Sequence, residues 1–412
     1  MSQKPHPALF LTAALLGSSL VSLLAVPAIA ASPQTLLDLT QPTPRMAAQG
    51  TGKADDSLQQ GIQLYQQGDY PGAESAFKRA IQLEPNSEEA HFRLGNALQR
   101  QNKLAEAEAA YQTVIRLNPD NVGAYINLGI VLDDQDKSQQ AVTAYQQAIQ
   151  RDPNNATVYH NLGIALRRQG KTDEAIAAYQ RAIDLNPRYT SAYISLGNVL
   201  DDQGKADAAI SAYQQALKID PNNASAYYNL GITQGRRGNF PAAADAYRQA
   251  IRIAPNYAEA YVGLGNSLYS QKKLKEAEDA YRQAIRINSK LSAAYIGLGN
   301  ALDDQSKPKE ALPAYQQALR LDPNNPYAHY NLGVTQGRLG NRTASIASYR
   351  QAIRLRPDYA EAHFNLGLDL SDQGKRSEAI QELQKARDLF KQQGKVQQAE
   401  RTDQILQRMG VR

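Results

Sequence analysis

The sequence predicts an all-α fold in which one two-helix unit is copied about ten times, and three observations predict it. Past residue 54 a proline recurs every 34 residues, at Pro85, Pro119, Pro153, Pro187, Pro221 and Pro255; Ser289 takes its place once, and it resumes at Pro323 and Pro357. Between the prolines a tyrosine and a Leu-Gly pair recur, as in Tyr125 with Leu128-Gly129 and Tyr159 with Leu162-Gly163. Within each half-unit the apolar residues fall at i, i+3, i+4 and i+7, the spacing of one helix face.

The N-terminal elements come first. Residues 1–30 read as a signal peptide: Lys4 gives a positive start, Ala8 to Val26 is apolar, and Ala28-Ile29-Ala30 is a small-x-small cleavage pattern. An uncleaved membrane anchor is the competing reading, because the run approaches the length of a spanning helix; Gly17, Ser18, Ser19, Ser22 and Pro27 favour cleavage. Either way the chain is expected to be exported, to the periplasm or another extracytoplasmic part of the cell envelope. It would meet a membrane only through this segment, if uncleaved. Residues 31–53, rich in Gln, Pro, Thr, Gly and Ala, read as a flexible linker.

Residues 54–393 hold the repeats. A mid-helix glycine such as Gly163 costs about 1 kcal/mol against alanine, so a partner helix is expected to come close there, with Ala175 and Ala182 doing the same from the other side. Tyr179 and Tyr213 are expected to fill the gap between units with their hydroxyls at a wet edge. The proline in Asp152-Pro153-Asn154-Asn155 and its copies ends one unit and starts the next. Pro313, five residues beyond Pro308, is expected to remove a hydrogen bond and bend its helix. Residues 394–412 read as a closing helix with Val396, Ala399, Ile405, Leu406 and Met409 on one apolar stripe.

These marks resemble the tetratricopeptide repeat family, whose period is 34 residues. The long array is similar to the repeat region of O-linked N-acetylglucosamine transferases, without a catalytic domain. The end units depart from the pattern, with Ser57 in a tyrosine slot of the first and Leu383 in one of the last, as units that face water on one side do. The resemblance implies a right-handed α-solenoid whose inner groove, lined by the first helix of each unit, takes a protein or peptide ligand.

Counted from 31 residues before each proline beat, the sixth and ninth positions share one face of the first helix. Asn127, Asn161, Asn229, Asn331 and Asn365 take the sixth; Asn96, Asn198, Asn266 and Asn300 take the ninth. Asparagine offers two donors and an acceptor in a plane, which suits the main chain of an extended ligand, and in the arrays this one resembles such a row binds peptide main chain. Where the asparagine stands ninth, the sixth residue is Ser195, Gly263 or Gly297, read as small residues that leave room, or Arg93. The competing reading is that each amide caps a backbone carbonyl of the neighbouring unit. His160 is expected to face the groove; His91, His329 and His363 occupy a tyrosine slot and read as packing.

Acid and base alternate near the ends of the first helices: Asp133-Asp134, Arg167-Arg168, Asp201-Asp202, Arg236-Arg237, then Asp303-Asp304 and Arg338. They read as inter-repeat ion pairs or as charges that select a partner. Residues 54–223 carry 15 Lys and Arg against 21 Asp and Glu, whereas residues 224–359 carry 18 against 10, a polarity that permits head-to-tail self-association. The second helices of the later repeats carry Arg248, Arg252, Arg282, Arg286, Arg350 and Arg354.

Composition narrows the function. With 42% hydrophobic and 21% charged residues the chain folds rather than staying disordered. It has no cysteine, which excludes disulfides, thiolate nucleophiles and cysteine-zinc sites. No HExxH, phosphate loop or serine-histidine-acid set stands in it, and no cofactor, metal or nucleic acid is expected. The expected function is therefore a non-enzymatic scaffold of the cell envelope; the alternative is a substrate-recognition subunit for a separate enzyme, such as a glycosyltransferase or secretion complex.

Overall fold

The computed structural model describes residues 52–411, so the expected signal segment and most of the expected linker lie outside the described residues. Gly52 and Lys53, assigned above to the linker, open the first helix. Ten hairpins follow: α1 (Gly52–Gln66) with α2 (Tyr70–Leu83), α3 (Glu88–Arg100) with α4 (Leu104–Leu117), α5 (Val122–Asp134) with α6 (Ser138–Arg151), α7 (Ala156–Arg168) with α8 (Thr172–Leu185), α9 (Thr190–Asp202) with α10 (Ala206–Ile219), α11 (Ala224–Arg236) with α12 (Phe240–Ile253), α13 (Ala258–Ser270) with α14 (Leu274–Ile287), α15 (Ser292–Asp304) with α16 (Pro308–Leu321), α17 (Pro326–Arg338) with α18 (Arg342–Leu355), and α19 (Ala360–Asp372) with α20 (Arg376–Gln392). Helix α21 (Val396–Arg408) closes the chain. The fold is an all-α solenoid of helix-turn-helix repeats, with no strand among the described residues. None of the described helices is long and apolar enough to cross a membrane.

The described residues form two compact units, 52–230 and 231–411, whose boundary falls inside α11. In each, a second helix packs on the first helix of the next hairpin, and successive first helices also touch, as α5 with α7 and α7 with α9 in one unit and α13 with α15 and α15 with α17 in the other. First helices therefore line the tighter side of each stack.

Local chemistry sets the ends. The side chains of Asn121, Asn155 and Asn325 accept the backbone N–H of Ala124, Val158 and Ala328, satisfying a donor that a helix start leaves open. The preceding aspartate holds that asparagine in place: Asn155 donates to Asp152 at 3.2 Å, and Asn325 to Asp322 at 3.1 Å. Between the helices of a hairpin the chain turns through positive φ, at Gly170, Gly204 and Gly340 but also at Asn102, Asp136, Lys272 and Ser306. The first three need no Cβ to be accommodated; Lys272 and Ser306 carry one at a cost.

The mid-helix glycines have a definite partner. A Cβ on Gly129 would stand 2.4 Å from the Tyr145 ring, and one on Gly299 would stand 2.6 Å from the Tyr315 ring. What comes close is thus the tyrosine ring of the same hairpin's second helix, rather than a helix backbone. Tyr111, Tyr145, Tyr179, Tyr213, Tyr281 and Tyr315 are fully buried, which corrects the expectation of hydroxyls at a wet edge. Phe77 takes this place beneath Gly61 in the first hairpin and Leu383 beneath Gly367 in the last.

Helix α16 runs through Pro313 as one helix, with Ala314 and Tyr315 buried just beyond it. The closing helix buries Ala399, Thr402 and Leu406; Val396, expected on that stripe, is 62% exposed. Thr402 could not be read as apolar, yet its hydroxyl is satisfied within the helix by Gln398 O at 2.6 Å.

Candidate functional site

Most of the asparagines are tied to neighbouring repeats by their side chains. In the unit 52–230 Asn127 donates to Asn96 Oδ1 at 3.0 Å, and Asn229 donates to Asn198 Oδ1 at 2.8 Å. In the unit 231–411 Asn331 donates to Asn300 Oδ1 at 2.8 Å. Each ninth-position asparagine also accepts from the buried tyrosine of its own hairpin: Tyr111 to Asn96, Tyr213 to Asn198, Tyr281 to Asn266 and Tyr315 to Asn300, all at 2.7–2.8 Å. Burial raises the pKa of Tyr111, Tyr281 and Tyr315 far above the usual phenol value, so these hydroxyls stay protonated and donate. Three of the sixth–ninth pairs are therefore amide bridges between repeats, anchored by a phenol. The partner is a side chain, not the backbone carbonyl considered above.

Two sixth-position residues fall outside this scheme. Asn365 donates to Tyr330 Oη at 3.1 Å, because Val334 stands where a ninth-position asparagine would accept. Asn161 has Ile130 in the corresponding place and Ile126 where Tyr330 stands, and its buried Nδ2 has no hydrogen-bond partner. Asn127 is 1% exposed and Asn161 6%; Asn198, Asn266, Asn300, Asn331 and Asn365 are half-buried, as are the ninth-position aliphatic residues Ile130, Ile164, Val334 and Leu368. The small sixth-position residues do not leave room. A Cβ on Gly263 would meet the Tyr247 ring and one on Gly297 the Tyr281 ring, both at 2.4 Å, and Ser195 Oγ bonds His160 Nε2 at 3.0 Å.

His160 is buried among Tyr179, Tyr189 and Ser195 rather than facing a groove. Burial lowers its pKa to about 4, so it is neutral near pH 7. His91, His329 and His363 do more than pack: the Nε2 of each donates to the carbonyl of the proline six residues earlier, at 2.9–3.1 Å.

The charged residues form rungs between successive first helices. Arg168 bonds the Asp133 carboxylate at 2.9 Å and its backbone carbonyl at 2.8 Å. Arg167 reaches forward to Asp202 at 2.7 Å. In the other unit Arg338 lies 3.4 Å from the Asp303 carboxylate and donates to its carbonyl at 3.2 Å, while Asp304 accepts from Tyr269 at 2.7 Å. Burial raises the pKa of Asp134 and of Asp303. Asp201 ends α9 half-buried beside exposed Asp202, and Arg236 and Arg237 lie exposed at the end of α11.

A third clamp escaped the sequence reading. A glutamine follows most of the first helices, Arg237 and Leu339 taking its place after α11 and α17. In five hairpins it donates from Nε2 to a backbone carbonyl at the start of the preceding second helix, as Gln101 to Tyr70, Gln169 to Ser138 and Gln271 to Phe240. In three hairpins it also meets a carboxylate, as Gln101 and Lys103 meet Glu74. Burial opposes ionisation of Glu74, but hydrogen bonds from Lys103, Lys78 and Gln101 hold its pKa at about 2. The signal was a glutamine recurring at 34-residue spacing. No cluster of three or more His, Cys, Asp or Glu able to hold a metal occurs among the described residues.

Two family models match. The tetratricopeptide repeat model matches residues 58–122, 92–156 and 126–190, and the model described as the cilia and flagella-associated protein 70 C-terminal domain matches residues 190–405. Among curated proteins none matches this chain. Solved structures similar to it include YrrB, described as a TPR protein with an unusual peptide-binding site, at 27% identity over 45% of this chain and 96% of that one, TM-score 0.40. MamA is 29% identical over 42% of this chain and 94% of its own, TM-score 0.39. The Cut9–Hcn1 hetero-tetramer of the APC/C is 16% identical over 82% and 80%, TM-score 0.49.

Proposed function

The chain belongs to the tetratricopeptide repeat family, and from that premise we propose that the first-helix face of its early repeats holds an extended polypeptide. Repeats of this family are protein–protein interaction scaffolds, typically without catalysis, and their stacked surfaces serve recognition. The observation that carries the reading is the unpartnered Nδ2 of Asn161. A buried donor without an acceptor costs about 1–3 kcal/mol, and a main-chain carbonyl of a bound strand would remove that cost. The half-buried Ile130 and Ile164 supply apolar floor for the strand's side chains. The amides of Asn127, Asn229 and Asn331 are already committed to their neighbours and serve the stack first.

The test is selection of peptide binders on the full chain from a random library, followed by affinity measurement on Asn161→Ala. Loss of roughly fivefold or more in affinity is expected with no fall in melting temperature, since the substitution removes a donor that bonds nothing in the fold. Equal affinity of the variant, or failure to select any peptide, would contradict the reading. We further propose that residues 1–30 direct export; the composition of Ala8 to Ala30 supports it, and fractionation of cells expressing the full chain, with the start of the mature protein sequenced, tests it.

A further inference from the structure

In the unit 231–411, successive second helices carry an arginine one residue before their end, in one register: Arg252 on α12, Arg286 on α14, Arg320 on α16 and Arg354 on α18, all exposed. Three are held alike. The Nε of Arg252, Arg320 and Arg354 donates to the side-chain oxygen of the glutamine three residues earlier, at 3.0, 2.7 and 2.9 Å. The glutamine occupies Nε and leaves the two terminal nitrogens as a fork. Arg286 has the same neighbour, Gln283, whose buried oxygen is unpartnered.

Among the described residues no carboxylate forms an ion pair with these four arginines. One turn earlier the situation is the reverse: Arg248 pairs with Asp245 and Glu276, Arg282 with Glu278, and Arg350 with Glu378. The unpaired row stops at Asp388, which pairs with Arg387. In the unit 52–230 the same register reads Gln82, Arg116, Gln150, Asp184 and Lys218, so the repeat plan does not require arginine there. These four exposed charges therefore carry no carboxylate partner among the described residues, beyond their place in the last turn of each helix.

We propose that this row is a docking ridge for a linear phosphate polymer, with each guanidinium gripping a phosphate. A guanidinium fork matches two oxygens of one phosphate. The row is sparse, one cation per repeat, so binding draws mainly on counterions released from the ligand, which favours a polymer with densely spaced charge over a carboxylated polysaccharide. Stacked repeats rotate slightly from one to the next; a flexible chain follows a turning row, whereas a flat lipid surface meets only part of it. Tyr247, Tyr281, Tyr315 and Tyr349 of these second helices are buried, so none of these rings offers a nucleic-acid base a face to stack on.

The experiment measures fluorescence anisotropy of labelled long-chain inorganic polyphosphate against the full chain over a range of NaCl concentrations. The test variant combines Arg252→Gln, Arg286→Gln, Arg320→Gln and Arg354→Gln; the control combines Arg248→Gln, Arg282→Gln and Arg350→Gln, with circular dichroism confirming that both fold. A log–log salt slope of roughly 3 is expected for the unsubstituted chain, with about tenfold or greater loss of affinity and a collapsed slope in the test variant. The control should lose far less. Absence of polyphosphate binding, equal losses in both variants, or equally tight binding of oligo(dT), alginate or phosphatidylglycerol vesicles would overturn the proposal.

Discussion

Residues 52–230 and residues 231–411 bury the same contacts and expose different ones. In the first unit Tyr145 lies beneath Gly129 and Asn127 bridges to Asn96; in the second Tyr315 lies beneath Gly299 and Asn331 bridges to Asn300. The surfaces part company. The first unit carries His160, buried among tyrosines, and Asn161, whose Nδ2 has no hydrogen-bond partner; the buried histidine of the second, His363, meets Glu382 instead. The second carries the arginine row. The difference teaches where the repeat constrains the chain: where a ring or an amide crosses between helices few residue types fit, tyrosine giving way only to Phe77 and Leu383 in the end hairpins, and where nothing crosses each repeat is free to diverge.

The largest expected effect tests the shared interior. Gly129→Ala and Gly299→Ala each drive a Cβ into a buried ring and should cost about 3 kcal/mol, measured by urea unfolding. A loss under about 1 kcal/mol in either unit would break the equivalence, since overpacking of this kind should exceed the helix gain from alanine.

Next comes His160. Its folded pKa of about 4 lies below the unfolded value of about 6.5, so the unfolded chain binds the proton more readily. Its contribution is complete above pH 6.5 and is lost as the pH falls through 4, on the order of 3 kcal/mol. His160→Ile, which installs the residue found at Ile126 and Ile194, should remove that part of the acid sensitivity. Parallel stability–pH curves for the two proteins would contradict the burial assigned to the imidazole.

The smallest effect sharpens the comparison at the hairpin turns. Lys272→Gly and Ser306→Gly should each raise stability by about 1 kcal/mol, because their left-handed backbone burdens a side chain. Asn102→Gly and Asp136→Gly in the first unit should gain less, since asparagine and aspartate tolerate that conformation. Equal gains at all four turns, read from melting temperatures, would show that the residue type is immaterial there.

Much of the fold was legible. Proline spacing, the Leu-Gly pairs and helical periodicity gave the hairpins and the mid-helix close approach, because each is a local demand of the backbone. The asparagine row was only half legible. Periodicity assigns Asn127 and Asn161 to the same helix face but is silent on what the preceding repeat offers them, and Asn96 in one case against Ile130 in the other decides their roles. Gly263 and Gly297 misled for the same reason: a small residue reads as space until the ring that fills it, Tyr247 or Tyr281, is placed. The glutamine clamp was missed because glutamine after a helix looks like ordinary surface until its carbonyl partner is known.

The central claim is that the amides divide into those that bind the stack and one, Asn161, that awaits a partner. Selective labelling of asparagine side-chain amides and titration with a selected peptide test it most directly. The account predicts a large shift of the Asn161 Nδ2 resonances, with those of Asn127 and Asn331 nearly still. A shift of all three together, or none at Asn161, would contradict it.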